Sequence, residues 1–503
     1  MQLFIKIFGT LLTPAAIKFY HTLKNPEVTQ RNLQIELFQC LVKTEYGKYL
    51  GIESLDNWRH IPIVEYQDIE TWITKQRESQ KSLLTPEKVI FYEKTSGTRS
   101  AAKLIPYTQS LRRSFNHMFC VWAHDLIVNG PKFSTGKIYF CISPQFQEPT
   151  KNTILTLEDD SEYLDGWLRV VLSPFLISPP GIQCARDADE FKHKLSQALL
   201  VAENLEIISI WSPSFLKVIL DHIKSHHQQL AFELQSEISA ERYKLLLETP
   251  VYSQLWRQLK LISCWDSANA ADSAQMLQKL FPGVLVQGKG LLATEAPMTI
   301  PLIGARGCVP MLDEVFFEFE DEKGEIHLVH ELQQGTVYEI IISQKGGLYR
   351  YRMKDRVHVT HFYKATPCLE FIGRTQEISD LVGEKLHSEF VRQVLDNLPL
   401  AETSFKTFIP TNFPKARYIL LLDTANTDTN ELAEKLDALL QQSPQYRHAR
   451  LLGQLAPAEI IVNSRAAEIL SLYKTREGKK WGDLKHDILS TAPVNKELLS
   501  ELR

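Results

Sequence analysis

No C-x-x-C pair occurs in the 503 residues. The seven cysteines (Cys40, Cys120, Cys141, Cys184, Cys264, Cys308 and Cys368) are scattered and odd in number. That excludes a zinc ribbon or a disulfide framework and reads as reduced, mostly buried thiols. A basic excess is also missing: 56 Lys and Arg against 60 Asp and Glu leave a net charge of −4. Nucleic acid is therefore not expected as the main partner, because duplex binding rests on neutralising phosphates. Internal repeats and low-complexity tracts are absent, which removes solenoids and disordered linkers. Long apolar runs are scarce as well. The stretch MQLFIKIFGTLLTPAAIKFY is interrupted at Lys6, is followed by no clean small-residue cleavage site, and falls short of about 18 apolar residues. The reading is an amphipathic helix docked on the body, with loose membrane attachment through that helix as the sharper alternative. Stable membrane insertion is not expected, and the cytoplasm is the expected location. What remains is ordinary globular composition, 44% hydrophobic and 23% charged, over a length that calls for two or three domains.

The first 80 residues read as helical. Beyond them KIYFCIS (137–143) and LEIISIWSP (205–213) read as strands, and FLKVILDHIKSH (215–226) as a helix with Ser212 placed to cap it and Pro213 at its first turn. LKLISCW and GVLVQGKG repeat the strand pattern around the helical DSAQMLQKLF, so the layout is α/β. From Val315 the texture changes. VFFEFE, TVYEIIIS, LYRYRM and RVHVT alternate like strands with one wet face, punctuated by Lys323-Gly324 and Gly346-Gly347, and predict a mainly antiparallel region. A new unit begins near 374–378, where RYILLLD, TNELAEKLDALLQQ and AEIIVN predict a small α+β domain.

Four segments hold residues suited to chemistry. TSGTRSAAK (Thr95 to Lys103) gathers hydroxyls, a glycine and a lysine, the types that cradle a phosphate. It lacks the G-x-x-x-x-G-K-[ST] pattern, and it suits equally a polar loop leading to a helix capped at Thr108. QGKGLLATEAP contains Gly288-x-Gly290-x-x-Ala293, but Pro297 and Pro301 forbid the helix that a dinucleotide fingerprint opens. It reads instead as a turn presenting Thr294 and Glu295, either a solvated turn or a hydroxyl and carboxylate able to hold Mg²⁺ on phosphates. In GGLYRYRMKDRVHV, Asp355 sits in a strand–turn–strand, as a turn-closing residue or as an acceptor for a ribose diol. FIGRTQEIS sets Arg374 at the domain junction. His222 and His226 are spaced i, i+4, but with no third ligand motif following they read as a solvated helix face. Ser96 has no G-x-S-x-G elbow around it and is not a hydrolase nucleophile.

Taken in order, TSGTRSAAKLIPYT, IWSPSFL, LLATE, LYRYRMKD and FIGRTQEIS resemble the plant auxin- and jasmonate-type acyl acid amido synthetases, the Gretchen Hagen auxin-responsive family, and their bacterial relatives. That family lies within the adenylate-forming superfamily of firefly luciferase and the acyl-CoA synthetases. The resemblance covers nearly the whole chain. It implies an α/β fold with a large N-terminal adenylate-forming domain, layered sheets and a β-rich subregion (1–375), followed by a small mobile C-terminal α+β domain (376–503). It implies ATP and Mg²⁺, with Thr95, Ser96, Gly97 and Thr98 on the ATP phosphates beside Lys103. Thr294 is then expected on the α-phosphate, Glu295 on Mg²⁺, and Asp355 with Arg374 at the ribose. The loop departs from the plant pattern at Arg99 and at Ala101-Ala102. Of the C-terminal lysines Lys479, Lys480 and Lys485, the last follows a Gly482-Asp483 turn and is the expected catalytic one.

The implied activity is a ligase reaction. A carboxylic acid is activated as acyl-adenylate and transferred to an amino acid amine. Transfer to a CoA-type thiol, or nucleotide binding without catalysis, are the alternatives. Small-molecule acids and amino acids are the implied partners, and Trp122, Trp211 and Trp265 are candidates for the acyl pocket.

Overall fold

The computed structural model describes residues 2–79, 81, 83–95, 103–141, 173–177, 182, 185, 187–375, 378–400, 403–424, 428–476, 481 and 484–503. Two compact units form: one from 1–140, 149–176 and 287–375, the other from 141–148, 177–286 and 376–503. One cut falls at 375/376, and residues 177–286 group with 376–503.

In the first unit, α1 (Gln2–Thr22) buries Ile5, Phe8, Leu12, Ala16 and Phe19, a stripe of helical period. A side chain at Gly9 would place Cβ 3.0 Å from Ile127 Cγ2, so glycine lets α1 lie close to the helix 109–129. Among the described residues α1 has the length and apolar content of a membrane span, more than its sequence suggested, while it docks on the body through that stripe. The other elements needed are α2 (Pro26–Leu41), α3 (Tyr66–Ser79) and α4 (Gln109–Asn129). The hairpin β1 (Val89–Lys94) and β2 (Leu104–Thr108) leads into α4, and Thr108 does cap it: its side chain accepts from Leu111 N at 3.1 Å.

A second, minimal hairpin pairs β3 (Leu292–Ala293) with β4 (Ala296–Pro297), leaving Thr294 and Glu295 as its turn, as the proline and glycine punctuation predicts. Gly290 ahead of it has φ +69°, and a Cβ there would meet Thr299 O at 2.8 Å, so glycine is required. The antiparallel region is a five-stranded sheet of β5 (Val315–Glu320), β6 (Ile326–Leu328), β7 (Val337–Gln344), β8 (Leu348–Tyr363) and β9 (Thr366–Arg374), in the order β6-β5-β7-β8-β9.

Two expectations change here. β5 has no wet face along most of its length, because α2 and its neighbours cover the second side. Gln30 on α2 donates to Leu312 O and Val315 O and accepts from Phe317 N, and Phe316 packs against Trp58 at 5.3 Å. LYRYRM and RVHVT are one strand, not a strand–turn–strand. Register shifts against β7 accompany positive φ at Arg350 (46°) and Lys354 (63°), which bend β8 without ending it. The Arg350 strain is held by Glu318 (2.9 Å) and by the carbonyls of Arg59 and Ile61.

In the second unit, strands Leu205–Ser209 and Leu261–Ser263 pair in parallel. Around them lie α5 (Ala188–Val201), α6 (Pro213–Ser225) and α7 (His227–Glu233). Ser212 occupies the N-cap of α6 with Pro213 following, but its hydroxyl bonds Ser214 Oγ (2.7 Å) and does not cap the backbone. The region after 376 holds β10 (Lys406–Thr411) antiparallel to β11 (Arg417–Leu422), with β12 (Glu459–Val462) parallel to β11 after α8 (Thr429–Leu440). β10 is the strand of this sheet that the sequence does not announce.

Candidate active site

The first unit gathers most of the residues singled out from the sequence. Thr95 and Lys103 close the β1–β2 hairpin, with Thr95 N donating to Lys103 O at 3.0 Å. Ser96, Gly97 and Thr98, like Arg99 and Ala101-Ala102, lie outside the described residues. Lys103 Nζ donates to Tyr351 Oη (3.3 Å) and lies 5.7 Å from the Tyr66 ring, while Leu104 N donates to Tyr66 Oη (2.9 Å). The base of the loop is thus fixed to α3 and β8.

The Thr294-Glu295 turn is fastened by its backbone. Tyr107 Oη donates to Thr294 O (2.7 Å), and Gln344 Nε2 donates to Glu295 O (3.1 Å). These bonds hold the turn through its carbonyls and do not engage either side chain. Asp355 on β8 pairs in register with Arg374 on β9, and Arg374 Nε donates to Asp355 Oδ1 at 2.8 Å. Asp355 is 1% exposed, and its Oδ2 has no hydrogen-bond partner among the described residues. An acceptor left in that state costs free energy until a donor reaches it.

Charge ties these pieces together. Burial pushes the Glu295 carboxyl above the usual carboxylate range; the charges of Arg374 and Lys103 oppose that push and Asp355 adds to it. Burial, with the Glu295 charge next, likewise drives the Tyr351 hydroxyl well above its ordinary value. Among the described residues no lysine or arginine nitrogen comes within ion-pair distance of Glu295. A desolvated carboxylate with no ion-pairing cation among the described residues is a hard-oxygen donor that suits a magnesium ion.

Lys485 belongs to the second unit, where its Nζ lies 4.9 Å from the Trp265 ring. The Trp211 ring lies tilted against Trp265 at 5.8 Å, and Trp122 in the first unit donates to Gln287 Oε1 at 3.0 Å. The sequence reading passed over Tyr66, Tyr107, Gln344 and Tyr351. Two had a signal: Tyr107 lies within IPYT, and Tyr351 alternates with Met353 and Asp355 on the buried side of β8.

The sequence matches the GH3 family N-terminal domain over residues 15–286, the GH3 family central domain over 308–374 and the GH3 family C-terminal domain over 387–494. The chain belongs to the GH3 family. Similar GH3 proteins include the indole-3-acetic acid-amido synthetase GH3.3 of Arabidopsis thaliana, 20% identical over 92% of this chain and 89% of that protein. Jasmonoyl--L-amino acid synthetase GH3.5 of Oryza sativa subsp. japonica is 25% identical over 32% of this chain and 30% of its own. Among solved structures, AtGH3.15 acyl acid amido synthetase in complex with 2,4-DB superposes with a TM-score of 0.82 at 18% identity, over 98% of this chain and 96% of that one. A 2-hydroxyisobutyryl-CoA ligase in the postadenylation state gives 0.50 at 11% identity, over 99% and 90%. The fold is therefore the mixed helix-and-sheet fold of GH3 and adenylate-forming proteins.

Proposed function

We propose that this GH3 chain activates a carboxylic acid with ATP as an acyl-adenylate and transfers the acyl group to the amine of an amino acid. The observation that carries this reading is the gathering of Lys103, Thr294, Glu295, Asp355 and Arg374 around one buried carboxylate in a GH3 chain. In the first step a substrate carboxylate oxygen attacks the α-phosphorus of ATP and pyrophosphate leaves. No protein nucleophile is needed, so catalysis rests on position and charge. The loop Thr95–Thr98 with Lys103 takes the phosphates, Thr294 the α-phosphate, and the free Oδ2 of Asp355 a ribose hydroxyl, with Arg374 holding its other oxygen. Glu295 would hold a magnesium ion, which when bound offsets the phosphate charge. In the second step the amine nitrogen attacks the acyl carbon, AMP departs as leaving group, and the nitrogen loses a proton to solvent. Residues 376–503, with Lys485 reaching the α-phosphate, act as a mobile domain turning after Arg374. Action on small acids and amino acids in the cytoplasm completes the reading.

Carboxylate-dependent exchange between pyrophosphate and ATP tests it. Purified protein with a panel of acids should exchange, and Glu295→Ala should lower the rate by about 100-fold or more. Absence of exchange with every acid tried would refute the first step. Product mass with an amino-acid mixture set against CoA then decides the acceptor.

A further inference from the structure

The outward side of α1 takes no part in the adenylation chemistry. Ile5, Phe8, Leu12, Ala16 and Phe19 fasten the helix to the body, and they account for one side only. On the other side Leu3, Ile7, Leu11 and Ile17 are 50–70% exposed, with Pro14 exposed among them. At about 100° per residue these five positions fall within about 120° of one another, opposite the buried stripe, and extend about 21 Å along the axis. Thr10 is the polar residue inside the strip, and its hydroxyl is already bonded to Lys6 O at 3.0 Å. Apolar side chains exposed singly are ordinary, whereas a continuous strip of them marks a surface that meets another apolar one.

Charge says what that second surface carries. Residues 2–26 include Lys6, Lys18 and Lys24 and no Asp or Glu. By the same angular count Lys6 stands at one margin of the strip and Lys18 near the other. Lys364, in the turn between β8 and β9, lies 5.0 Å from the Tyr20 ring and donates to Tyr20 O at 3.1 Å. Burial and the nearby Lys24 charge push its ammonium below the ordinary range, so two cations share this end of the helix. Asp313, the carboxylate that feels the Lys18 charge, pairs with His117 at 3.2 Å, and Glu27, at the start of α2, faces His330 at 4.0 Å. Among the described residues no acid lies within ion-pair distance of these four ammonium groups.

We propose that α1 docks the protein on an anionic lipid surface, with Leu3, Ile7, Leu11 and Ile17 at the acyl boundary and Lys6, Lys18, Lys24 and Lys364 on the headgroup phosphates. The helix lies in the surface and does not cross it, because its buried stripe stays on the body. A second copy of the chain fits poorly, since two such faces would set lysine against lysine. An acidic peptide would match the lysines, but a strip of aliphatic side chains with cations at its margins suits the layered polarity of a membrane surface better.

Co-sedimentation of the full chain with sucrose-loaded vesicles, without ATP or metal, tests this. Phosphatidylcholine vesicles are compared with vesicles in which about one lipid in three is phosphatidylserine. The wild type should bind the anionic vesicles and lose that binding as salt rises. Lys6→Gln/Lys18→Gln/Lys24→Gln should weaken it by about 100-fold, roughly 5-fold for each lysine. Leu3→Gln/Ile7→Gln/Leu11→Gln should abolish it. These side chains face outward, so the melting temperature should match that of the wild type, which separates lost docking from lost fold. A wild type that does not sediment with anionic vesicles, or sedimentation that survives the Leu3, Ile7 and Leu11 substitutions, overturns the proposal. So does a wild type whose self-association those substitutions abolish. Pyrophosphate exchange in solution should be unchanged in both variants, so this test and the adenylation test fail independently.

Discussion

Glu295 shows at the residue scale how a functional side chain opposes the stability of its own fold. Its carboxyl is raised above the usual range chiefly by burial, so the folded chain holds that proton more tightly than the unfolded one. The sign follows from linkage. Stability tied to this proton is fully present below the unfolded value and is lost as pH rises through the native one. Glu295→Gln keeps the shape and removes the ionisation. Without ATP or metal, the variant should therefore melt higher than the wild type at neutral pH. The gap should close on acidification below the ordinary carboxylate range, and saturating MgATP should reverse the order because only the wild type gains the full benefit of ligand. Melting curves from about pH 3 to 8 check this; a gap independent of pH would mean Glu295 is not held against its charge. Such a cost was not legible in the dipeptide Thr294-Glu295, which in sequence looked as much like a solvated turn. Burial of that turn is set by residues far along the chain.

At the scale of elements, the hairpin and the strands that anchor it decide where that turn points. The hairpin itself could be read from Gly290, Pro297 and the short apolar flanks, since backbone limits act locally. Its anchorage could not: Tyr107 on β2 and Gln344 on β7 reach it from 187 and 49 residues away. Tyr107 is fully buried and stacks between Phe91 (4.8 Å) and Phe115 (5.7 Å), so Tyr107→Phe preserves packing and deletes one hydrogen bond. The expected stability loss is about 1 kcal/mol. A freed turn misplaces the groups that face the nucleotide, and small misplacements are costly to rate. The exchange rate should fall about 10-fold with an unchanged far-UV spectrum, measured as kcat at saturating ATP. The bulged β8 teaches the same lesson. Its alternation on the buried side (Tyr351, Met353, Asp355) was present in the sequence, whereas the positive φ at Arg350 is held by Glu318 and by carbonyls from residues 59 and 61. The i, i+4 histidines were visible for the same local reason, and the contact of His222 with His193, 29 residues away on another helix, was not.

On the scale of the whole molecule, the order of segments along the chain is not the order of packing. A reading by texture divides the sequence near 375, because the sheet of β5–β9 ends there and a fresh helix–strand pattern begins. Packing instead joins 177–286 to 376–503, and nothing local to either segment announces it. Trp481 is 1% exposed and packs against Phe191 (6.1 Å) and Phe215 (5.8 Å). Lys192 on α5 is held by Glu468, Lys406 by Asp272 at 3.0 Å, and Arg392 donates to Asn269 at 2.8 Å. A domain of 376–503 that turns during catalysis has to exchange these contacts for others, so their strength bears on both stability and turnover. Trp481→Ala removes the largest of them. It should lower the unfolding free energy by about 3–5 kcal/mol, as for other buried tryptophans, seen as a shifted urea midpoint in the full chain. On the proposed turning of 376–503, it should also change amide formation more than pyrophosphate exchange. A midpoint equivalent to less than about 1 kcal/mol of loss would show that 376–503 stands on its own core and leans little on α5 and α6.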